Sequence, residues 1–383
     1  MPRCPDLVPR FTPLGVASFS RLAHRMFACS GPTYPLHIGD TWMEPAPGCR
    51  MEDLKTEEHP GMHRYAPVGG LPALRDAILE KTRSGEDLPA ERENVLITAG
   101  ATGGLSAVLM TLLDPGDEVL VLAPYWPLVV NSVEVVGGRA VAVPFFETSH
   151  DASSAVETVE RYRTDRTVAI YWNTPHNPTG RLLPRDWLSA LSDWACKKDL
   201  WILSDEVYEN YAYAGPHVYS RPMAPERTVA AYSFSKAYGM AGNRCGYVVG
   251  PAEIVSAALG VTRNTVYSIS TAAQLSALNC LQGKADAWVT QAARQYRELG
   301  EAAAKRLGTP PPEGGTFLFL DVKDRLDDRG LEGWLTDCAD DGLLVAPGMS
   351  FGPYPTHIRV CFTCVEPERV GEGIEKLATH LGR

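Results

Sequence analysis

The sequence predicts an α/β fold, a mostly parallel sheet sandwiched by helices, followed by a smaller α+β domain. Three observations carry that expectation. From about residue 70, short and nearly continuous apolar runs alternate with helical patterns. Runs of that kind suit strands buried on both faces, as a parallel sheet requires. After a long helical region the pattern restarts with further short strands and helices. The chain also has 383 residues, more than one ordinary core holds.

The elements follow in order. Residues 1 to about 45 are rich in proline and glycine and read as irregular. A helix is expected over 71–83, a short apolar strand over 94–98, and a helix over 103–113. Strands follow over 118–122, 140–144 and 167–171, then a helix over 184–197. Strands over 200–203, 229–232 and 246–249 complete the large sheet. A long helical region spans 271–307, and the alanine, glutamate and arginine content of 285–307 favours helix. Beyond it, 317–320, 343–346 and 358–362 read as strands, and 331–341 and 366–380 as helices. The expected division is an N-terminal segment 1–45 packing on the small domain, a large domain 46–284 and a small domain 285–383.

Bulk properties exclude several functions. The net charge of -10 and a pI near 5.5 argue against nucleic acid or anionic membrane as partners. No apolar run reaches the roughly 18 residues of a membrane span. The start, Met1-Pro2-Arg3-Cys4-Pro5-Asp6, has no apolar stretch to serve as an export signal. Nine scattered cysteines, an odd number, suit reduced thiols in a cytoplasm. Cys361 and Cys364 form a Cys-x-x-Cys, but no second pair or histidine cluster accompanies them, and no metal site is expected.

The most informative stretch is Ser233-Phe234-Ser235-Lys236-Ala237-Tyr238-Gly239-Met240-Ala241-Gly242-Asn243-Arg244. A lysine amine can form a Schiff base with an aldehyde. Two serines and an arginine nearby can hold a phosphate. Aldehyde plus phosphate describes pyridoxal phosphate. The stretch resembles the lysine motif of the class I/II aminotransferases, the fold-type I branch of pyridoxal phosphate enzymes. Cys245 stands where that family usually has an aliphatic residue, a substitution of one small hydrophobe for another.

Further matches fall just after predicted strands, where sheets of this kind bind ligands. In Leu203-Ser204-Asp205-Glu206-Val207-Tyr208, the resemblance gives Asp205 the pyridine nitrogen and Tyr208 the cofactor's phenolic oxygen. Alone, an Asp-Glu at a strand end is more often a helix cap or a surface pair. In Asn173-Thr174-Pro175-His176-Asn177-Pro178-Thr179-Gly180, it gives Asn177 the same phenolic oxygen. A plain turn explains the proline and glycine there, but not the coincidence with Asp205 and Lys236. His176 reads as a loop residue.

Thr98-Ala99-Gly100-Ala101-Thr102-Gly103-Gly104 joins a strand to a helix, and exposed N–H groups at a helix start bind anions. The resemblance marks Gly100, Ala101 and Thr102 as phosphate contacts, with Ser233, Ser235 and Arg244 opposite. Nucleotide sites use the same device, but neither a P-loop nor Gly-x-Gly-x-x-Gly is present. Trp126 matches the aromatic that stacks on the pyridine ring; without that match it reads as a core aromatic. Tyr65 matches a tyrosine that reaches the neighbouring subunit's phosphate, which implies a homodimer with shared sites. Gly39 matches a backbone position near the substrate carboxylate. Arg359 matches the arginine that clamps that carboxylate, a task suited to a planar guanidinium. A surface arginine at a strand end is the plainer reading.

The resemblance implies an aminotransferase acting on an amino acid and a 2-oxo acid. A lyase, cyclase or oxidase on the same scaffold would use the same residues. Asp40-Thr41-Trp42-Met43-Glu44-Pro45 departs from the usual pattern, which points to a specialised substrate. A non-catalytic regulator of this fold would carry a DNA-binding extension, and the residues before the first motif have no such pattern. No second arginine can be assigned to a distal carboxylate; Arg263 and Asn264 are the candidates.

Overall fold

A computed structural model describes residues 19–383. The part of the N-terminal expectation that falls on residues 1–18 lies outside the described residues.

Among the described residues, ten strands form two sheets. The large sheet contains β1 (Val95–Thr98), β2 (Glu118–Ala123), β3 (Arg139–Pro144), β4 (Thr167–Asn173), β5 (Trp201–Asp205), β6 (Thr228–Ser233) and β7 (Gly246–Val249). Their order is β1-β7-β6-β5-β4-β2-β3. Only β7 runs against its neighbours, pairing antiparallel with both β1 and β6. The small antiparallel sheet has β8 (Phe317–Asp321), β9 (Ala346–Pro347) and β10 (His357–Cys361), in the order β8-β10-β9.

Successive strand residues point to opposite faces, and that alternation builds two layers of core. Leu96, Val121, Tyr171, Leu203, Ala231 and Val248 join one cluster with helices Gly100–Leu112 and Ala252–Thr265. Ile170, Trp172 and Ile202 face the other way, onto helices Ala152–Tyr162 and Arg185–Lys197. Ile97, Tyr232 and Tyr247 continue that second layer against helices Pro72–Glu86 and Thr271–Asn279.

A separate core sits on the small sheet. Helices Asp286–Leu307, Gly330–Asp340 and Pro367–His380 contribute to it. Leu22, Met26, Tyr34 and Leu36 from the N-terminal stretch are buried in the same cluster.

The structure departs from expectation in several places, and helices Ala152–Tyr162 and Ala252–Thr265 are among the elements the sequence reading missed. Residues 19–28 are helical (Phe19–Ala28), although the surrounding stretch reads as irregular. Apolar residues at helical spacing, including Leu22 and Met26, bury one face there and outweigh the proline-rich context. The helical region from 271 is broken: helix Thr271–Asn279 passes through a π-helical turn, Cys280–Lys284, before Asp286–Leu307. Gly283, at φ 89°, makes that break. The strand expected over 343–346 shrinks to β9, with Leu343 forming an isolated bridge to Tyr34. Helix Pro127–Val135 lies in a segment rich in valine, a poor helix former, and Pro127 starts it.

Candidate active site

A cleft of about 920 Å³ opens beyond the C-terminal ends of the parallel strands. That is at the upper end of the roughly 300–1,000 Å³ of small-molecule sites. Gly39, Ala101, Thr102, Trp126, Asn177, Asp205, Tyr208, Ser233, Ser235, Lys236, Arg244 and Arg359 all line it. Gly100 supports it from the first turn of helix Gly100–Leu112.

Asp205 ends β5, in register with Asn173 on β4 and beside Ala231 on β6. It is 4% exposed, and the Tyr171 hydroxyl donates to its Oδ2 at 2.8 Å. Tyr171 can reach it because both side chains point to the same face of the sheet. Burial pushes the Asp205 carboxyl up to about 6, against the opposing pull of that hydroxyl. Among the described residues it has no cationic partner within ion-pair distance. Glu206, the next residue, is tied away from the cleft by His217 Nε2 at 2.9 Å and Ser204 Oγ at 2.8 Å. These bonds fix the end of β5.

Asn173 staples two loops. Its Nδ2 donates to the Asp205 carbonyl at 2.8 Å, and its Oδ1 accepts from the Asn177 backbone N–H at 2.6 Å. Asn177 Oδ1 in turn accepts from Arg359 at 3.1 Å. The Asn177 amide N–H₂ is thereby left to donate. His176, two positions from Thr174, is buried outside the cleft lining, with Nδ1 2.8 Å from Thr179 Oγ1. Burial pushes its imidazole down to about 3.

Lys236 follows β6 on the four-residue helix Phe234–Ala237, capped by Ser233. The Tyr211 hydroxyl donates to the Lys236 carbonyl at 2.8 Å and anchors the turn. The lysine Nζ donates to the Gly39 carbonyl at 2.5 Å and lies 3.5 Å from Asp40 Oδ1. Burial lowers its pKa below the ordinary lysine value, although Asp40 pulls the other way. Tyr208 is buried against Phe317, and burial pushes its hydroxyl well up.

Opposite Lys236, the Ala101 and Thr102 end of helix Gly100–Leu112 meets Ser233, Ser235 and Arg244. Ser233 Oγ and Ser235 Oγ are 2.9 Å apart, and Arg244 lies 3.4 Å from Ser235 Oγ. Two glycines permit this closeness. A Cβ on Gly100, at φ +67°, would lie 2.6 Å from the Arg244 guanidinium. One on Gly246 would lie 2.7 Å from the Gly100 carbonyl carbon.

Arg359 comes from β10 and is buried. Its guanidinium stacks on Phe317 and Phe351, 4.3 and 4.7 Å from the ring centroids. It donates to the His37 carbonyl at 2.7 Å, while its Nε has no hydrogen-bond partner. Tyr65 stands apart from the cleft lining, as do the distal-carboxylate candidates Arg263 and Asn264, both exposed. Tyr65 is 83% exposed and lies edge-on to Tyr267, with ring centroids 4.9 Å apart. Sequence reasoning assigned no role to Tyr171, Asn173 or Asp40. Asn173 could have been noticed as a polar residue ending an apolar strand; Tyr171 carries no local signal, because its role depends on strand pairing.

A family model described as "Aminotransferase class I and II" matches residues 39–377. The aspartate/prephenate aminotransferase of Thermus thermophilus is 34% identical over 332 residues, covering 84% of each chain. The arginine–pyruvate transaminase of Pseudomonas aeruginosa is 34% identical over 318 residues, covering 78% of each. Among solved structures, a single mutant of Thermus thermophilus aspartate aminotransferase superposes with a TM-score of 0.89 at 28% identity. That match covers 98% of this chain and 100% of the other.

Proposed function

The chain belongs to the class I and II aminotransferases, which use pyridoxal phosphate to move amino groups, and on that premise we propose which residues perform the transfer. Lys236 moves the proton, Asp205 holds the ring nitrogen and Arg359 holds the substrate. The observation that carries this reading is their convergence in one cleft from β5, the turn after β6, and β10.

The residues fit the cofactor. Asp205 is a buried carboxylate without a cation, which suits a protonated ring nitrogen. The helix start at Ala101 and Thr102, with Ser233, Ser235 and Arg244, suits a phosphate. Trp126 offers a flat apolar wall to the ring. Tyr208 and the free Asn177 amide offer donors to a phenolic oxygen.

When bound, pyridoxal phosphate supplies an aldehyde to take up the amino group and a ring that draws off electrons as Cα loses its proton. The protein's own part is acid–base chemistry and positioning. Arg359 receives the α-carboxylate in the plane of its fork, held by Asn177, the His37 carbonyl and two phenyl rings. Lys236, less basic than an exposed lysine, presents a neutral amine to the Cα proton at a smaller cost. The same amine returns that proton on the other side of the transfer. Given an amino acid alone, the protein is expected to stop after one turnover with one equivalent of 2-oxo acid released. A 2-oxo acid should restart it with ping-pong kinetics. Sustained turnover without an acceptor, followed by product analysis, would overturn amino transfer in favour of a lyase or cyclase.

The active form proposed is a homodimer. Exposed Tyr65, Tyr267 and Val266 form aromatic and apolar surface of the kind that marks an interface. Replacing Tyr65 with phenylalanine should weaken cofactor binding about tenfold by removing a hydrogen bond to a charged group, with the fold intact. An active monomer in light scattering would refute the shared site. The proposed division is an N-terminal segment 1–45, a large domain 46–284 and a small domain 285–383, supported by the separate core on the small sheet. Among the described residues no helix is long and apolar enough to cross a membrane, and every cysteine is a free thiol. The free thiols support a cytoplasmic setting.

A further inference from the structure

We propose that the substrate carries a neutral, apolar side chain, aliphatic or aromatic, and that Ile38, Leu128 and Met349 receive it. This rests on the reading that Arg359 holds the α-carboxylate and Lys236 takes the Cα proton. Those two anchors leave the side chain only the outer part of the cleft to occupy.

The outer part is apolar. Ile38, Leu128 and Met349 line it and are 47%, 45% and 59% exposed. Three large apolar side chains left half in water around one opening are buried when a complementary group enters. Their neighbours on the lining, Asn131 and Ser350, are neutral.

The charged groups are already committed. Among the described residues on the lining, the cations are Lys236, Arg244 and Arg359. The first moves the proton, the second faces the phosphate contacts and the third holds the α-carboxylate. A second carboxylate on the substrate would leave water for a wall that offers it no cation, which is strongly disfavoured. A candidate source of such a cation is Arg263 at the exposed end of helix Ala252–Thr265, if a second copy brought it to the cleft.

The test uses the holoprotein and has two readouts. Calorimetry compares 3-phenylpropanoate with succinate, neither of which can donate an amino group. Single-turnover spectra compare phenylalanine and leucine with aspartate. The apolar member of each comparison should be favoured by at least about tenfold, the scale of pocket discrimination between side chains. Leu128→Arg should shift both ratios toward the diacid by about tenfold or more. Leu128 is half-exposed, so the variant should fold, and Met349→Arg provides an independent repeat.

Tighter succinate binding and faster aspartate turnover by the wild type would overturn the inference and leave amino transfer standing. If Arg263→Ala then abolished that preference, the cation would be the second copy's. Should no amino acid react, the amino-transfer reading fails, and calorimetry still decides what the pocket binds.

Discussion

Lys236→Ala is expected to cut amino transfer by on the order of 10⁴-fold or more, the upper range for a positioned acid–base group. The amine is buried, less basic than usual, and within reach of both the Gly39 carbonyl and Asp40. No other lysine lines the cleft among the described residues, so no neighbour can take over the proton. The variant should still bind pyridoxal phosphate, because Asp205 and the proposed phosphate contacts are untouched. Borohydride treatment of the wild type should fix the cofactor on Lys236, as read by peptide mass spectrometry. Reduced cofactor on a different lysine would remove Lys236 from the centre of the mechanism.

Asp205→Asn is the second large effect expected. In the proposed role the carboxylate would stabilise positive charge on the ring nitrogen, and an amide cannot do so by charge. In a buried site that loss should cost several kcal/mol, a rate loss of about a hundredfold or more with cofactor still bound. A pH signature accompanies it. The folded carboxyl is raised to about 6, above the roughly 3.9 of an exposed aspartate. A raised carboxyl holds its proton more tightly when folded. The cofactor-free protein should therefore lose stability as pH rises from about 4 to about 6, where the folded state binds more protons. The asparagine variant should lack that component. Denaturant titrations of both proteins across this range measure the difference, and identical pH profiles would contradict the burial argument.

Much of the large sheet was legible because its strands are apolar on both faces and its helices are not. The candidate site was legible in runs such as Ser233 to Arg244 and Asn177 to Gly180, from which the fold brings residues to one cleft. What escaped depends on pairing between distant segments. Tyr171 donates to Asp205 only because β4 and β5 lie side by side in one register. Asp40 meets Lys236 across nearly 200 positions of chain. The N-terminal helix is set by its contacts with the small core, and only the proline-rich stretch around it argues the other way.

The cleft also divides what can change from what cannot. Asp205, Ser233 and Arg359 sit in or at the ends of paired strands, so altering them disturbs both chemistry and packing. Ile38, Leu128 and Met349 belong to none of the hydrophobic cores among the described residues and come from three distant parts of the sequence. Exchanges at such exposed positions typically move stability by only about half a kcal/mol. Natural drift or directed selection can therefore retune the clientele of this scaffold one residue at a time, while its reaction centre is inherited unchanged.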